Sequence, residues 1–218
     1  MKIIKLMAAS LLLAGTFMLN ACGEKSDSPE PLSELIDFNT VKGRVTRSIY
    51  YDYEGNEVRT ATDTIYFNYQ ESINNQTWYG SPTGLLFSKN GPEGLYGYFK
   101  PLNEEYLIYK YPASKGERYA TKSSQGASFD NESGNPYNTT DYQMLVADTN
   151  ASFEMTMING KHNGLMHYIK EKTTQGVSTS ISPAEWYILP GKGTLAFIAY
   201  YDEDFEKISV YSETIAFP

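Results

Sequence analysis

What this chain has little of narrows its chemistry. It has one cysteine in 218 residues, Cys22. No internal disulfide can form, so the fold must be stabilised by its core. Two histidines, His162 and His167, fall short of a structural zinc site, which takes about four ligands from Cys, His or carboxylate. Positive charge is scarce. Lys and Arg number 18 against 26 Asp and Glu, for a net charge of −8. The basic footprint that nucleic acids or anionic membranes require is absent. No apolar run reaches the ~20 residues of a bilayer-spanning helix; Leu6 to Leu19 comes nearest. There is no Gly-x-Ser-x-Gly elbow, P-loop or His-Glu-x-x-His motif.

What is present begins at the amino terminus. Lys2 and Lys5 precede the uncharged apolar segment, which is the layout of a secretory signal peptide. Leu19-Asn20-Ala21-Cys22 resembles a bacterial lipobox, in which cleavage falls between Ala21 and Cys22. The resemblance implies a thioether-linked diacylglycerol on Cys22 and an acylated new amino terminus. One acyl chain gives only marginal membrane binding, and the several supplied here give lasting anchorage. Gly23 to Pro31 is acidic and carries Ser and Pro, as a flexible tether does. It also resembles the acidic export tags of surface lipoproteins in Bacteroidota, so the outer-membrane location stays open between a periplasmic and a cell-surface face. The expected organisation is signal peptide 1–21, lipidated tether 22–31 and one β domain, 32–218. Loss of Lys2 and Lys5 takes the net charge from −8 to −10.

Nineteen tyrosines favour strands. Strand-like segments separated by turn signals run through the domain. Residues 44–60 read as a hairpin turning at Glu54-Gly55-Asn56, followed by a strand over 60–70. Residues 77–91 turn at Ser81-Pro82-Thr83-Gly84. Strands follow at 94–101, 105–112, 141–148, 152–160, 164–173, 185–191, 193–202 and 207–217. Residues 105–112 are apolar on both faces, as a covered strand is. Residues 123–141 read as a long polar loop. Pro31 to Ile36 suits a turn or two of helix, and Ser182-Pro183-Ala184-Glu185 one turn at most. The fold predicted is all-β: an antiparallel meander forming a curved sheet, half-barrel or sandwich.

Two blocks, Tyr111-Pro112 with Gly116, and Trp186-Tyr187 with Pro190, Gly191 and Gly193, are similar to a family of bacterial secreted lipoproteins of uncharacterised role. The resemblance implies a curved antiparallel sheet, loosely like the half-barrels of lipoprotein carriers. It implies no catalytic residue. The residues themselves read Pro190-Gly191-Lys192-Gly193 as a tight turn between apolar strands, since a phosphate loop needs a following helix.

Candidate chemistry is thin. His162 and His167 read as solvated turn histidines. Asp130 to Asn135 is oxygen-rich but departs from the EF-hand pattern, and reads as a hydrated loop. Asp202, Glu203, Asp204 and Glu206 read as a charged hairpin turn rather than a separated acid pair. Asn-x-Ser/Thr triplets at Asn75, Asn131, Asn138 and Asn150 mark Asn-rich loops. Trp78-Tyr79 and Trp186-Tyr187 suit stacking on sugars, or core packing of one ring of each pair. No catalytic, cofactor or metal residue is assigned. The expected function is a lipid-anchored envelope module holding a hydrophobic ligand, a glycan or a partner protein in a concave sheet. The alternative is a carboxylate-based hydrolase of envelope or extracellular glycans; a passive spacer is the third reading.

Overall fold

The computed structural model describes residues 34–125, 138–171, 183–202 and 204–218, all within one compact unit. Apart from a 3-10 turn at Lys100–Leu102, the regular elements are strands. In chain order they are β1 (Gly43–Tyr51), β2 (Glu57–Tyr66), β3 (Tyr69–Ile73), β4 (Gln76–Gly80), β5 (Leu86–Gly91), β6 (Gly94–Phe99) and β7 (Glu104–Lys110). Then come β8 (Arg118–Gln125), β9 (Asn138–Met155), β10 (Gly160–Glu171), β11 (Ala184–Leu189), β12 (Gly193–Tyr200) and β13 (Ile208–Ala216).

These form two antiparallel sheets. β3 to β7 make a five-stranded meander. The other sheet has eight strands, curves without closing into a barrel, and runs β2-β1-β13-β12-β11-β10-β9-β8. The all-β antiparallel meander expected from the sequence is therefore the fold. β13 returns to pair with β1, which places the first and last strands side by side.

Several boundaries differ from expectation. The turn at Glu54-Gly55-Asn56 stands, held by the Asn56 N–H donating to Asp52 Oδ1 at 2.8 Å. The separate strand expected at 60–70 is mostly a continuation of β2, which ends at Tyr66. The two strands expected at 141–148 and 152–160 are one, because β9 runs unbroken through Asp148-Thr149-Asn150. Of the loop expected over 123–141, residues 123–125 belong to β8 and 138–141 to β9; residues 126–137 lie outside the described residues. Of the helical turn expected over Pro31 to Ile36, residues 31–33 lie outside the described residues and Glu34 to Ile36 are not helical; a single turn comes later, where Val41 N–H reaches Asp37 O at 2.8 Å. Ser182 lies outside the described residues, and Ala184 already belongs to β11.

The main core lies where the small sheet meets the inner face of the large one. Leu95 of β6 and Tyr109 of β7 pack with Tyr119, Tyr142, Met144, Val146, Met166 and Tyr168 of β8 to β10. β7 ends its sheet, yet its carbonyls are not left open. Tyr119 Oη donates to Ile108 O at 3.1 Å, Tyr168 Oη to Lys110 O at 2.6 Å, and Thr121 Oγ1 to Leu107 O. Hydroxyl groups of the large sheet thus satisfy the edge of the small one, which would otherwise be a template for unwanted pairing. The segment before β1 adds Leu35, Ile36, Phe38 and Val41 to the same core. It is tied to the turn after β11, where Asp37 N–H meets Gly191 O at 3.0 Å. At Gly193, with φ of +91°, a Cβ would lie 3.0 Å from Ile36 Cγ1, so this turn needs glycine.

The outer face of the large sheet is partly covered by its own longest hairpin. Register shifts between His162 and Tyr168 bend β10 relative to β9. Phe153 then lies 4.4 Å from the Tyr187 ring of β11, and 6.5 Å from the Tyr211 ring of β13. Met155, Leu165 and Leu195 are buried beneath it. β12 is consequently enclosed on both faces, and its run Thr194-Leu195-Ala196-Phe197-Ile198 is apolar throughout after the first residue.

Candidate functional site

Side chains alternate along β1, and its inner face reads Arg44, Thr46, Ser48. Opposite them on β13 stand Thr214 and Ser212, in register with Thr46 and Ser48. Ser48 and Ser212 are buried and joined Oγ to Oγ at 2.8 Å, while Thr214 Oγ1 donates to Thr194 O at 2.7 Å. These are small side chains. Where β8 to β10 present tyrosine and methionine, this end of the sheet presents hydroxyls, and the space is not filled.

Two cavities result. One, of about 360 Å³, lies over the inner face and is walled by Thr46, Asp63, Trp186, Phe197 and Ser212. The other, of about 430 Å³, opens toward the small sheet against Phe67, Leu85, Leu86, Leu95 and Ile108. Arg44, Ile65, Tyr109 and Thr194 line both. The aromatic wall is continuous: Trp186 lies 5.1 Å from Phe197 and 6.5 Å from Tyr109, ring to ring. Apolar walls with a few convergent polar groups are the usual make-up of a small-molecule site, and the volumes fall in the usual range of roughly 300–1,000 Å³.

Arg44 stands between the cavities. As a residue it is half-buried, but its Nε is sealed from solvent and has no hydrogen-bond partner. Among the described residues it joins no ion pair. Burial lowers the pKa of the guanidinium, opposed by its electrostatic interaction with Tyr109. Burial likewise pushes the Tyr109 hydroxyl up to about 12, against the pull of Arg44 and a hydrogen bond with Thr194. A cation drawn partly out of water without a counter-charge is destabilising on general grounds.

A second constellation sits on β10, β11 and β12. Glu185 Oε2 lies 3.1 Å from His167 Nε2 and accepts from Tyr187 Oη at 2.9 Å; Oε1 accepts from Tyr200 Oη at 3.3 Å. The His167 and Tyr187 rings stack at 4.4 Å. Burial acts to raise the Glu185 pKa, yet the hydrogen bonds from His167, Tyr187 and Tyr200 outweigh it and hold the carboxyl below its ordinary value. Both tyrosine hydroxyls are raised, by burial first and the carboxylate second. Glu213 is a second enclosed acid, at 0 % exposure. It accepts the backbone N–H groups of Thr156 at 2.5 Å and Met157 at 2.9 Å, and the Tyr211 hydroxyl. It clasps the tip of the bent hairpin to β13. Burial and this carboxylate push Tyr211 up to about 12.

The residues singled out from sequence fall unevenly. Ala21, Cys22, the segment Asp130 to Asn135 and Glu203 lie outside the described residues. His167 is not a solvated turn histidine: it stands within β10, its side chain 17 % exposed, paired with Glu185. His162 is also within β10, opposite Phe153. Asp202 Oδ1 accepts from the Glu206 N–H at 3.0 Å, as a turn residue does. Trp78 is buried with Phe87 and Tyr98. Tyr79 stacks on Phe38 at 4.3 Å on the opposite face, so both rings of that pair are packed. Trp186, by contrast, lines the inner cavity, and Tyr187 points to the Glu185 constellation. Pro190 to Gly193 is the expected turn, with Lys192 N–H donating to Leu189 O at 2.9 Å. Sequence reasoning does not single out Arg44. The alternation along β1 puts Val45 and Ile49 together, so burying those residues by pattern turns Arg44 to solvent.

Comparison of the chain with protein-family models, with curated proteins and with solved structures found no match.

Proposed function

We propose that the protein is a lipid-anchored envelope module, held at the outer membrane through Cys22, that binds a small hydrophobic ligand between its two sheets. The observation that supports the binding role is the pair of cavities meeting at Arg44, walled by Trp186, Phe197, Leu85, Leu86 and Ile108. Space of this kind in a sheet otherwise packed with tyrosine and methionine costs stability, and a ligand that fills it recovers the lost contacts. Trp186 supplies a direct reporter, because the other tryptophan, Trp78, is 1 % exposed in a separate cluster.

The test uses the mature chain, residues 22–218, carrying Cys22→Ser so that no acyl group of its own competes. Titration with the neutral fluorophore phenylnaphthylamine should give saturable enhancement with quenching of Trp186, and Trp186→Phe should remove the quenching alone. A linear, unsaturable response would contradict the reading. Mass spectrometry of the mature amino terminus tests the anchor: a diacylglyceryl adduct on Cys22 is expected, and an unmodified thiol would remove it.

The alternative, a carboxylate-based glycan hydrolase, would draw on Glu185 and His167. Its general acid needs a raised pKa and a second carboxyl several ångströms away. Among the described residues, the carboxyl groups with displaced titration, Asp37, Asp52, Glu104, Glu117, Asp148 and Glu185, move down instead.

A further inference from the structure

We infer that the ligand of this cavity is an amphiphile with an anionic head, a carboxylate or a phosphate, and that Arg44 is the group that recognises it. The inference rests on the binding role proposed above and names the chemistry of its ligand.

The polar groups around Arg44 can be taken one at a time. Ser48 and Ser212 satisfy each other. Thr214 is spent on the Thr194 carbonyl. Tyr109 is engaged by Thr194, which acts with Arg44 to lower the pKa of its hydroxyl. Asp63 shares the cavity wall but is exposed at the edge strand, in register with Thr46 and one inward position away from Arg44, and makes no ion pair with it. What remains unspent is the guanidinium, with a sealed Nε that donates to nothing. A guanidinium offers a planar fork of donors that matches carboxylate or phosphate oxygens two at a time. Its position matters as much as its charge. Arg44 lines both cavities, so a head group on Arg44 leaves space for an apolar body against Trp186 and Phe197 on one side, or Leu85, Leu86 and Ile108 on the other. A neutral apolar ligand would leave the cation as it is now, and a free inorganic anion would leave the aromatic wall unused. Only a molecule with both parts satisfies both features.

The experiment is displacement of phenylnaphthylamine from the mature Cys22→Ser chain by octanoate, octyl phosphate, octanol and inorganic phosphate, in the native background and in Arg44→Gln and Arg44→Lys. The two octyl acids should displace the fluorophore at concentrations at least about tenfold below octanol, the preference a charged hydrogen bond supports. Arg44→Gln should abolish that preference, read as the ratio of octanol to acid potency within the same variant, and Arg44→Lys should keep part of it. Retained displacement by octanol also shows that the variant is folded. The order of the two acids identifies the head as carboxylate or phosphate. Asp63→Asn should strengthen both acids by removing the nearest competing negative charge. Equal potency of acids and alcohol in the native chain, or a preference that survives Arg44→Gln, overturns the assignment of Arg44 while the apolar cavity stands. Inorganic phosphate as potent as octyl phosphate overturns the amphiphile. If the fluorophore never binds, the cavity reading fails with it.

Discussion

The two halves of the space between the sheets are built on one plan and filled differently. Beneath β8 to β10 the inward positions are Tyr119, Tyr142, Met144, Val146, Met166 and Tyr168, none more than 8 % exposed. Beneath β1, β13 and β12 they are Arg44, Thr46, Ser48, Ser212, Thr214 and Phe197, and a cavity remains. Backbone pairing is antiparallel and continuous across both halves. The two halves differ in side-chain volume and polarity: the sheet carries a packed half and an open one.

Removing the centre of the packed half should do most damage. Tyr168 is enclosed by Tyr109 at 5.1 Å and Tyr119 at 6.4 Å, and its hydroxyl satisfies Lys110 O. Tyr168→Ala should cost about 3–5 kcal/mol in denaturant unfolding, the range of large aromatic truncations. Two charged side chains drawn out of water, Glu213 wholly and Arg44 in part, make a sharper contrast. Glu213 is satisfied and Arg44 is not. Glu213→Leu, which orphans the Thr156 and Met157 N–H groups, should cost about 1–3 kcal/mol. Arg44→Met should be neutral or stabilising in the absence of ligand, because it removes an unpaired cation. Loss of stability by Arg44→Met comparable to that of Glu213→Leu would erase the distinction.

Enlargement reads the same comparison from the other side. Val146→Leu forces a methylene into the packed half and should cost about 1–3 kcal/mol. Thr46→Leu enters open space, should change stability by less than about 1 kcal/mol, and should block the fluorophore. The smallest effect expected is a pH limb. The folded-state pKa of Glu185 is lowered from an ordinary value of 4.5. Its contribution is therefore fully present above that value and is lost as pH falls through the lower folded value. Glu185→Gln should flatten the acid side of a stability-versus-pH curve without altering ligand binding.

Much of this fold is legible in the residues, and the exceptions have causes. The turn at Asp52 to Asn56 announces itself because Gly55, at φ of +88°, and Asn56 are turn formers. The strands at Gly94–Phe99, Glu104–Lys110 and Gly193–Tyr200 are apolar runs between turns. β9 reads as two strands because Asp148-Thr149-Asn150 has turn chemistry. Asn150 N–H does donate to Asp148 Oδ1, at 3.0 Å, but pairing with β10 on either side keeps the chain extended. His167 reads as a turn residue for a related reason: Gly164 sits at a bulge within a strand rather than at a turn between two. The site itself is hidden by its own chemistry. A strand that turns arginine, threonine and serine inward, with Val45 and Ile49 on its other face, inverts the usual pattern. Trp186 alone gives a hint, as an aromatic ring with two possible uses.

The most direct measurement is the thermal unfolding midpoint of the mature chain with and without octanoate, in the native and Arg44→Met backgrounds. At one fixed octanoate concentration the midpoint should rise in the native chain and rise distinctly less in the Arg44→Met variant, although the ligand-free variant melts no lower. An equal rise in both backgrounds, or none in either, would contradict recognition by Arg44.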